Sequence, residues 1–224
     1  MPMRRMRSAE IGPRLAHLVM ALVALDLALV AAHLSLGLTP TGASRPTSAW
    51  NLGMEWGAAE GVEHAKALSC ALLMLWLARR TRQPVFGFFA FLYVATFVDN
   101  AFQLHETLGD LERRFGLEDD VAQLLVFLCF GTAMLASSAV VLRRTDAAHL
   151  PAAALLLALF ALLAFFSVAL DALHVPTVIE DGGELVTLSL HLAAAGLLAA
   201  REWRGPAGES YRRAVSAPAS RPFA

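Results

Sequence analysis

The sequence predicts an all-α, polytopic membrane helix bundle with six transmembrane helices and both termini cytoplasmic. Three observations lead there. Of 224 residues, 57% are hydrophobic and only 17% charged, where soluble domains carry roughly 45–50% and about 25%. Apolar runs recur at the roughly 20-residue length that a bilayer core demands. Arginines gather in every second connection between those runs. The net charge of −1 offers no electrostatic basis for nucleic-acid binding, and the lipid bilayer is the expected partner.

The first run, Leu15 to Leu38, follows a basic N-terminus. At about 24 residues it exceeds the roughly 7–15 of a signal-peptide core, so it reads as a retained helix. The second runs from about Glu55 to Ala78 and starts among carboxylates. The third is Pro84 to about Leu104, with Pro84 suited to the first helical position, where its missing N–H is harmless. The fourth is Val121 to Leu142, with Asp119 and Asp120 placed to cap its start. The fifth is Pro151 to about Leu173 and the sixth about Ile179 to Ala200.

Arg4, Arg5, Arg7 and Arg14 precede the first run; Arg79, Arg80 and Arg82 follow the second; Arg143 and Arg144 follow the fourth; Arg201, Arg204, Arg212 and Arg213 follow the sixth. An even helix count with this alternation puts both ends on the cytoplasmic side. Residues 1–204 read as a single transmembrane helical domain, and 205–224, rich in Pro, Ala, Ser and Arg, as a disordered cytoplasmic tail. His105 to Leu117 carries Leu108, Leu111 and Phe115 at helical spacing among charges, the pattern of a short interfacial helix. Cys70 and Cys129 lie inside apolar runs without metal-ligand spacing and read as apolar fillers.

The ionisable residues are unevenly distributed. At 1.5 Å per helical residue, His64 lies roughly 22 Å from the arginine-rich boundary, Asp99 and Glu184 roughly 26 Å, Glu60 roughly 28 Å, Asp171 roughly 30 Å and His191 roughly 15 Å. Residues from four runs of alternating direction thus fall in the same half of the membrane. Glu60 and His64 are four apart and share a helix face, Asp171 and His174 are three apart, and Glu180, Glu184 and His191 follow one stripe. Inward-facing His and carboxylate side chains on several helices are how helical bundles build metal sites. The expected ligand set is His64, Asp99, Asp171, His174, Glu184 and His191, holding a divalent transition metal, zinc or iron. Glu60, Asp99 and Glu184 are the expected catalytic residues. Glu55, Glu63, Glu106, Glu180 and Asp181, near helix ends, have the simpler reading of acids meeting water and headgroups. Asp26 and Lys66, at matching depths of roughly 18 and 20 Å, read as a structural ion pair, since an unpaired charge there is costly. His33 reads as a satisfied core histidine.

The stretch Tyr93-Val94-Ala95-Thr96-Phe97-Val98-Asp99-Asn100-Ala101-Phe102-Gln103-Leu104-His105-Glu106 resembles uncharacterised bacterial multispanning proteins whose helix ends in an Asp-rich pair followed by His-Glu. That resemblance implies a bacterial inner-membrane location and no activity. A chemical likeness also exists to membrane hydrolases of the alkaline ceramidase and adiponectin-receptor type, which hold zinc with three histidines near an aspartate and a serine. It would give His64, His191 and His174 the ligand roles, with Asp99 and Ser69 nearby. The last-helix His-x3-His pair of those hydrolases is absent here.

The functional expectation is therefore a metal-dependent membrane enzyme, a hydrolase or an oxidoreductase, on a lipid-like substrate. The alternatives are a non-catalytic subunit of a larger membrane complex and a metal-ion or proton transporter. Partners in a membrane complex, or further copies of the chain, would fit the small residues Ala193, Ala194, Ala195 and Gly196, which allow close helix approach.

Overall fold

A computed structural model describes residues 11–38, 48–54, 57–102, 104, 116, 119–170, 173 and 175–204. Among these residues the regular structure is helical, without a strand. Helix α1 (Ile11–Ala32) runs into a π-helical turn, His33–Gly37; α2 is Ala58–Thr81, α3 Pro84–Phe102 and α4 Asp119–Arg143. Helix α5 (Leu150–Ala164) is entered through a 3-10 turn, Ala147–His149, and leaves through a second π-helical turn, Phe165–Leu170; α6 is Thr177–Arg204. The expected Asp171, His174 and interfacial stretch 105–117 lie outside the described residues, apart from Gly116, as does the tail.

Five stretches are long and apolar enough to cross a membrane: Ala16–Gly37, Ala58–Thr81, Pro84–Phe102, Ala147–Leu170 and Thr177–Trp203. Helix α4 contributes a shorter apolar segment, Leu128–Arg143. By length and composition the chain is a multi-pass membrane protein, and large apolar side chains such as Leu72, Phe91 and Leu135 point out of the bundle, as a lipid solvent permits. Helix α4 begins at Asp119, two residues before the expected Val121.

The contacts give the helix directions. Rising along α2, Lys66 meets Leu185 and Trp76 meets Trp203 of α6, so α2 and α6 run the same way. Helix α1 runs against them, Asp26 meeting Ser189 and Val30 meeting Gly182. Helix α3 opposes α2, since Gly87 adjoins Ala78 and Phe97 meets His64. Helix α5 opposes α6, with Phe160 on His191 and Phe166 on Gly183. The bundle therefore has an acidic end, where α2 and α6 begin, and an arginine-rich end, where they finish.

Helix α6 packs on α1, α2 and α5, and α2 on α3 and α6, while α4 touches mainly α3. The larger core cluster, including Met74, Leu77, Phe86, Phe89, Leu156 and Leu188, fills the arginine-rich half between α2, α3, α5 and α6. A smaller one, Leu29, Leu52, Ala59 and Leu185, lies toward the acidic end and draws in the connection before α2. His33 fastens that connection: the Leu52 N–H donates to His33 Nδ1 at 3.1 Å, and the imidazole is buried.

At the arginine-rich end, α2 stops at Arg82, whose left-handed backbone (φ 57°) lets its N–H reach the Ala78 carbonyl at 2.9 Å. Thr81 Oγ1 donates to the Leu77 carbonyl and accepts the Gln83 N–H, and Pro84 then starts α3. The Gln83 amide clasps Asp146: its Nε2 donates to the carboxylate, and the Asp146 N–H donates back to Oε1 at 3.0 Å. One arginine-rich connection is thereby tied to the next.

Helix α6 carries Gly182 and Gly183 one turn in from its start, and the second has a steric reason. A Cβ on Gly183 would lie 2.0 Å from the Phe166 ring, so the π-helical turn of α5 rests directly on the α6 backbone. Gly183→Ala is expected to lower the melting temperature in detergent, overpacking of this kind typically costing about 1–3 kcal/mol. The double variant Gly183→Ala/Phe166→Ala should melt above the Gly183→Ala single. A single variant that melts like the parent chain would show that the ring moves aside freely.

Candidate functional site

The acidic end is assembled from the first turns of two parallel helices. Glu60, Glu63 and His64 lie on α2, and Glu180, Asp181 and Glu184 on α6. Glu63 is the focus. It is buried, at 8% exposure, and Glu184, Asp181, Lys66 and Glu60 all act on it electrostatically. His64 Nε2 stands 3.6 Å from the Glu60 carboxylate, as the four-residue spacing requires. The His64 ring meets the edge of Phe97 at 5.3 Å, which brings the outer part of α3, with Asp99 one half-turn on, to the same level. Gly53 covers the start of α6, since a Cβ there would touch Thr177 and Asp181.

One layer deeper lies the ion pair. Lys66 Nζ donates to Asp26 Oδ1 and, at 2.9 Å, to the Leu185 carbonyl; Ser189 Oγ donates to Asp26 Oδ2 at 2.6 Å. Asp26 is 0% and Lys66 3% exposed. The Leu185 carbonyl lies within a helix and still has a lone pair to offer a second donor. Both carboxylate oxygens are thus satisfied, and the ammonium has two acceptors on two helices.

Below it, His191 belongs to a different neighbourhood. Its Nδ1 is 2.5 Å from the Tyr93 hydroxyl, and its ring stands edge-on to Phe160 at 4.7 Å. Tyr93 and Phe160 both meet its ring, Phe89 stacks on Phe160 behind it, and His191 is 0% exposed.

The sequence-derived residues therefore separate. The structure gathers Glu60, His64 and Glu184 at the acidic end, with Asp99 on the adjoining part of α3, and puts Asp26 and Lys66 in contact beneath them. His191 is held apart by Tyr93, while Asp171 and His174 fall outside the described residues. Among the described residues, no three His, Cys, Asp or Glu side chains stand together as a group able to hold a metal ion. Glu63, expected to face water near a helix end, is buried instead, on the side of α2 where Glu184 and Asp181 of α6 act on it. Sequence reasoning passed over Ser189 and Tyr93. A serine four residues beyond Leu185 on the stripe nearest Lys66, and one of only two tyrosines, placed mid-helix, were the signals available.

A family model for a domain of unknown function, DUF8692, matches residues 15–199. The chain belongs to that family. The matched region begins in α1 and ends in α6, so the ion pair, the acidic end and the Tyr93–His191 contact all lie within the family's domain. No curated protein and no solved structure matches the chain.

The ion pair makes a quantitative expectation. Lys66→Met leaves a buried carboxylate without its cation and is expected to destabilise the bundle by about 3–5 kcal/mol, whereas Asp26→Leu/Lys66→Met, which removes both charges, should recover most of that loss. Reversible unfolding in mixed micelles reads both. Additive losses in the double variant would mean that the two charges are not coupled.

Proposed function

We propose that the chain crosses a bacterial inner membrane six times, with both termini on the cytoplasmic, arginine-rich side, and that its acidic end is a cation-dependent acid–base site. The reading is a metal-dependent membrane enzyme, a hydrolase or oxidoreductase, acting on a lipid-like molecule. The observation that carries it is the convergence of Glu60, Asp181 and Glu184 on buried Glu63, beside the His64 imidazole. Carboxylates brought together in an apolar bundle repel one another, and protons or a metal cation must offset their charge. The cation already in that set, Lys66, is shared with Asp26.

Imidazole with several carboxylates suits zinc or iron. His64 and Glu184 are the central ligands in this reading, with Asp99, Asp171 and His174 completing the set. His191, hydrogen-bonded to Tyr93, is the least suited of the expected ligands. A metal there would acidify a bound water, and Glu60 would take its proton as general base. The site ends in a cul-de-sac: beyond His191 the interior is filled by Met74, Leu77, Phe86 and Leu156. That filling supports chemistry at one face over passage through the bundle.

A second reading, a proton-handling network without metal, is favoured by the missing three-membered ligand set among the described residues. Elemental analysis by ICP-MS of protein purified without chelators, beside His64→Ala/Glu184→Gln, separates the two. Near-stoichiometric zinc or iron that is lost in the folded variant is the expected outcome. No metal in either protein, even after metal is added back, would sink the metalloenzyme and leave the proton network.

A further inference from the structure

Between α1 and α2, residues 48–54 are tied to the bundle at four points. Ser48 Oγ donates to the Leu36 carbonyl at 3.3 Å, and the Leu52 N–H donates to His33 Nδ1 at 3.1 Å. The Trp50 carbonyl lies so near Gly37 that a Cβ there would meet it at 2.8 Å. On the far side, a Cβ on Gly53 would lie 3.2 Å from Thr177 and 3.3 Å from the Asp181 carboxylate. Three of the four ties are thus made to the π-helical turn His33–Gly37, and the fourth to the start of α6. Residues 48–54 form a strap from the end of α1 to the acidic end.

One of the two hydrogen bonds depends on a proton. A ring nitrogen that accepts from a backbone N–H carries no proton itself, so the Leu52 bond requires the neutral imidazole. A proton on Nδ1 would set two donors against each other, and the contact would be lost. The imidazole is covered while the strap is down, at 3% exposure. The proton therefore binds the released state, and whatever binds one state alone shifts the balance toward it. The ionisable groups on the surrounding elements are Asp26 on α1, Glu60, Glu63, His64 and Lys66 on α2, and Glu180, Asp181 and Glu184 on α6. None of them acts on the His33 ring, which feels burial alone. The strap itself has no titratable side chain.

We propose that residues 48–54 are a pH-released strap: neutral His33 latches them across the start of α6, and protonation of His33 frees them. The closed state needs the neutral ring, so the strap is held at higher pH and released as the pH falls through the histidine range. Leu52 holds it down in the neutral state, its side chain packing with Leu29, Ala59 and Leu185. Release uncovers Thr177 and Asp181 at the acidic end, and it does so whether that end holds a metal or protons.

The test is amide hydrogen exchange of the full-length protein in detergent, read by mass spectrometry from about pH 8 to about pH 5, the range in which histidine titrates. Rates are corrected for the intrinsic effect of pH on exchange. In the parent chain, protection of residues 48–54 should fall about tenfold or more on acidification, the scale of one lost hydrogen bond, while residues 66–81 of α2 keep theirs. His33→Gln, whose amide oxygen can take the Leu52 N–H but binds no proton, should hold the strap protected at both ends of the range. His33→Leu, with no acceptor, should leave it unprotected at both. Should the His33 variants not fold, Gly37→Ala gives an independent arm. Its Cβ displaces the Trp50 carbonyl, so the strap should start unprotected and lose nothing more in acid. An equal loss in the parent and in His33→Gln would overturn the proposal, as would a parent strap protected throughout. Simultaneous loss in residues 66–81 would overturn it in favour of general acid unfolding, and a further acid loss in Gly37→Ala would place the titrating group elsewhere.

Discussion

Three helices are held in register by a single buried charge pair. Asp26 of α1 receives Lys66 of α2 and Ser189 of α6, and Lys66 reaches on to the α6 backbone at Leu185. Between helices in a bilayer there is no hydrophobic driving force of the kind that assembles a soluble core, so hydrogen bonds and close packing carry the association. A pair with every partner satisfied rejects alternative registers, because sliding any one helix by a turn would strand a charge in hydrocarbon. The neighbouring contacts follow from that register. Val30 falls opposite Gly182, and His33 falls where the Leu52 N–H can reach it.

The same pair divides the interior. Toward the acidic end it is one of the charges acting on Glu63, so it belongs to the electrostatics of the site while remaining buried itself. Toward the other end begin the aromatic contacts of His191 and the apolar fill of α2, α3, α5 and α6. The bundle therefore has polar chemistry at one end and dense packing at the other. The Gln83–Asp146 clasp sits just past the dense half and closes it.

The helices were legible because a bilayer imposes length and composition together, and a run such as Pro151 to Leu173 can satisfy both in only one way. The structure begins α2 three residues later than expected and carries it to Thr81, while α6 continues to Arg204, since helix ends are set by caps and by the water boundary and not by hydropathy. Asp26 and Lys66 could be paired on paper because depth alone narrows the choice of partner for a charge in hydrocarbon. Depth did not reveal rotation about the helix axis. His64 and His191 both fall on polar stripes, yet one faces acids and Phe97 and the other faces Tyr93. Nor could depth show that the stretch around Leu52 folds back onto the bundle, where the Leu52 N–H donates to His33.

The two π-helical turns, His33–Gly37 and Phe165–Leu170, alter how this chain can be compared with itself. Each winds more residues into a turn than an α-helix does, in the manner of a single inserted residue taken up without breaking the helix. Past such a turn the azimuth of every later side chain lags by roughly one residue, about 100° of rotation. A helical wheel drawn straight through residues 150–170 therefore assigns the far end to the wrong side. Alignments of the family that carry a one-residue gap at either turn would preserve the faces rather than disturb them, and the gap itself would mark which members keep the bulge.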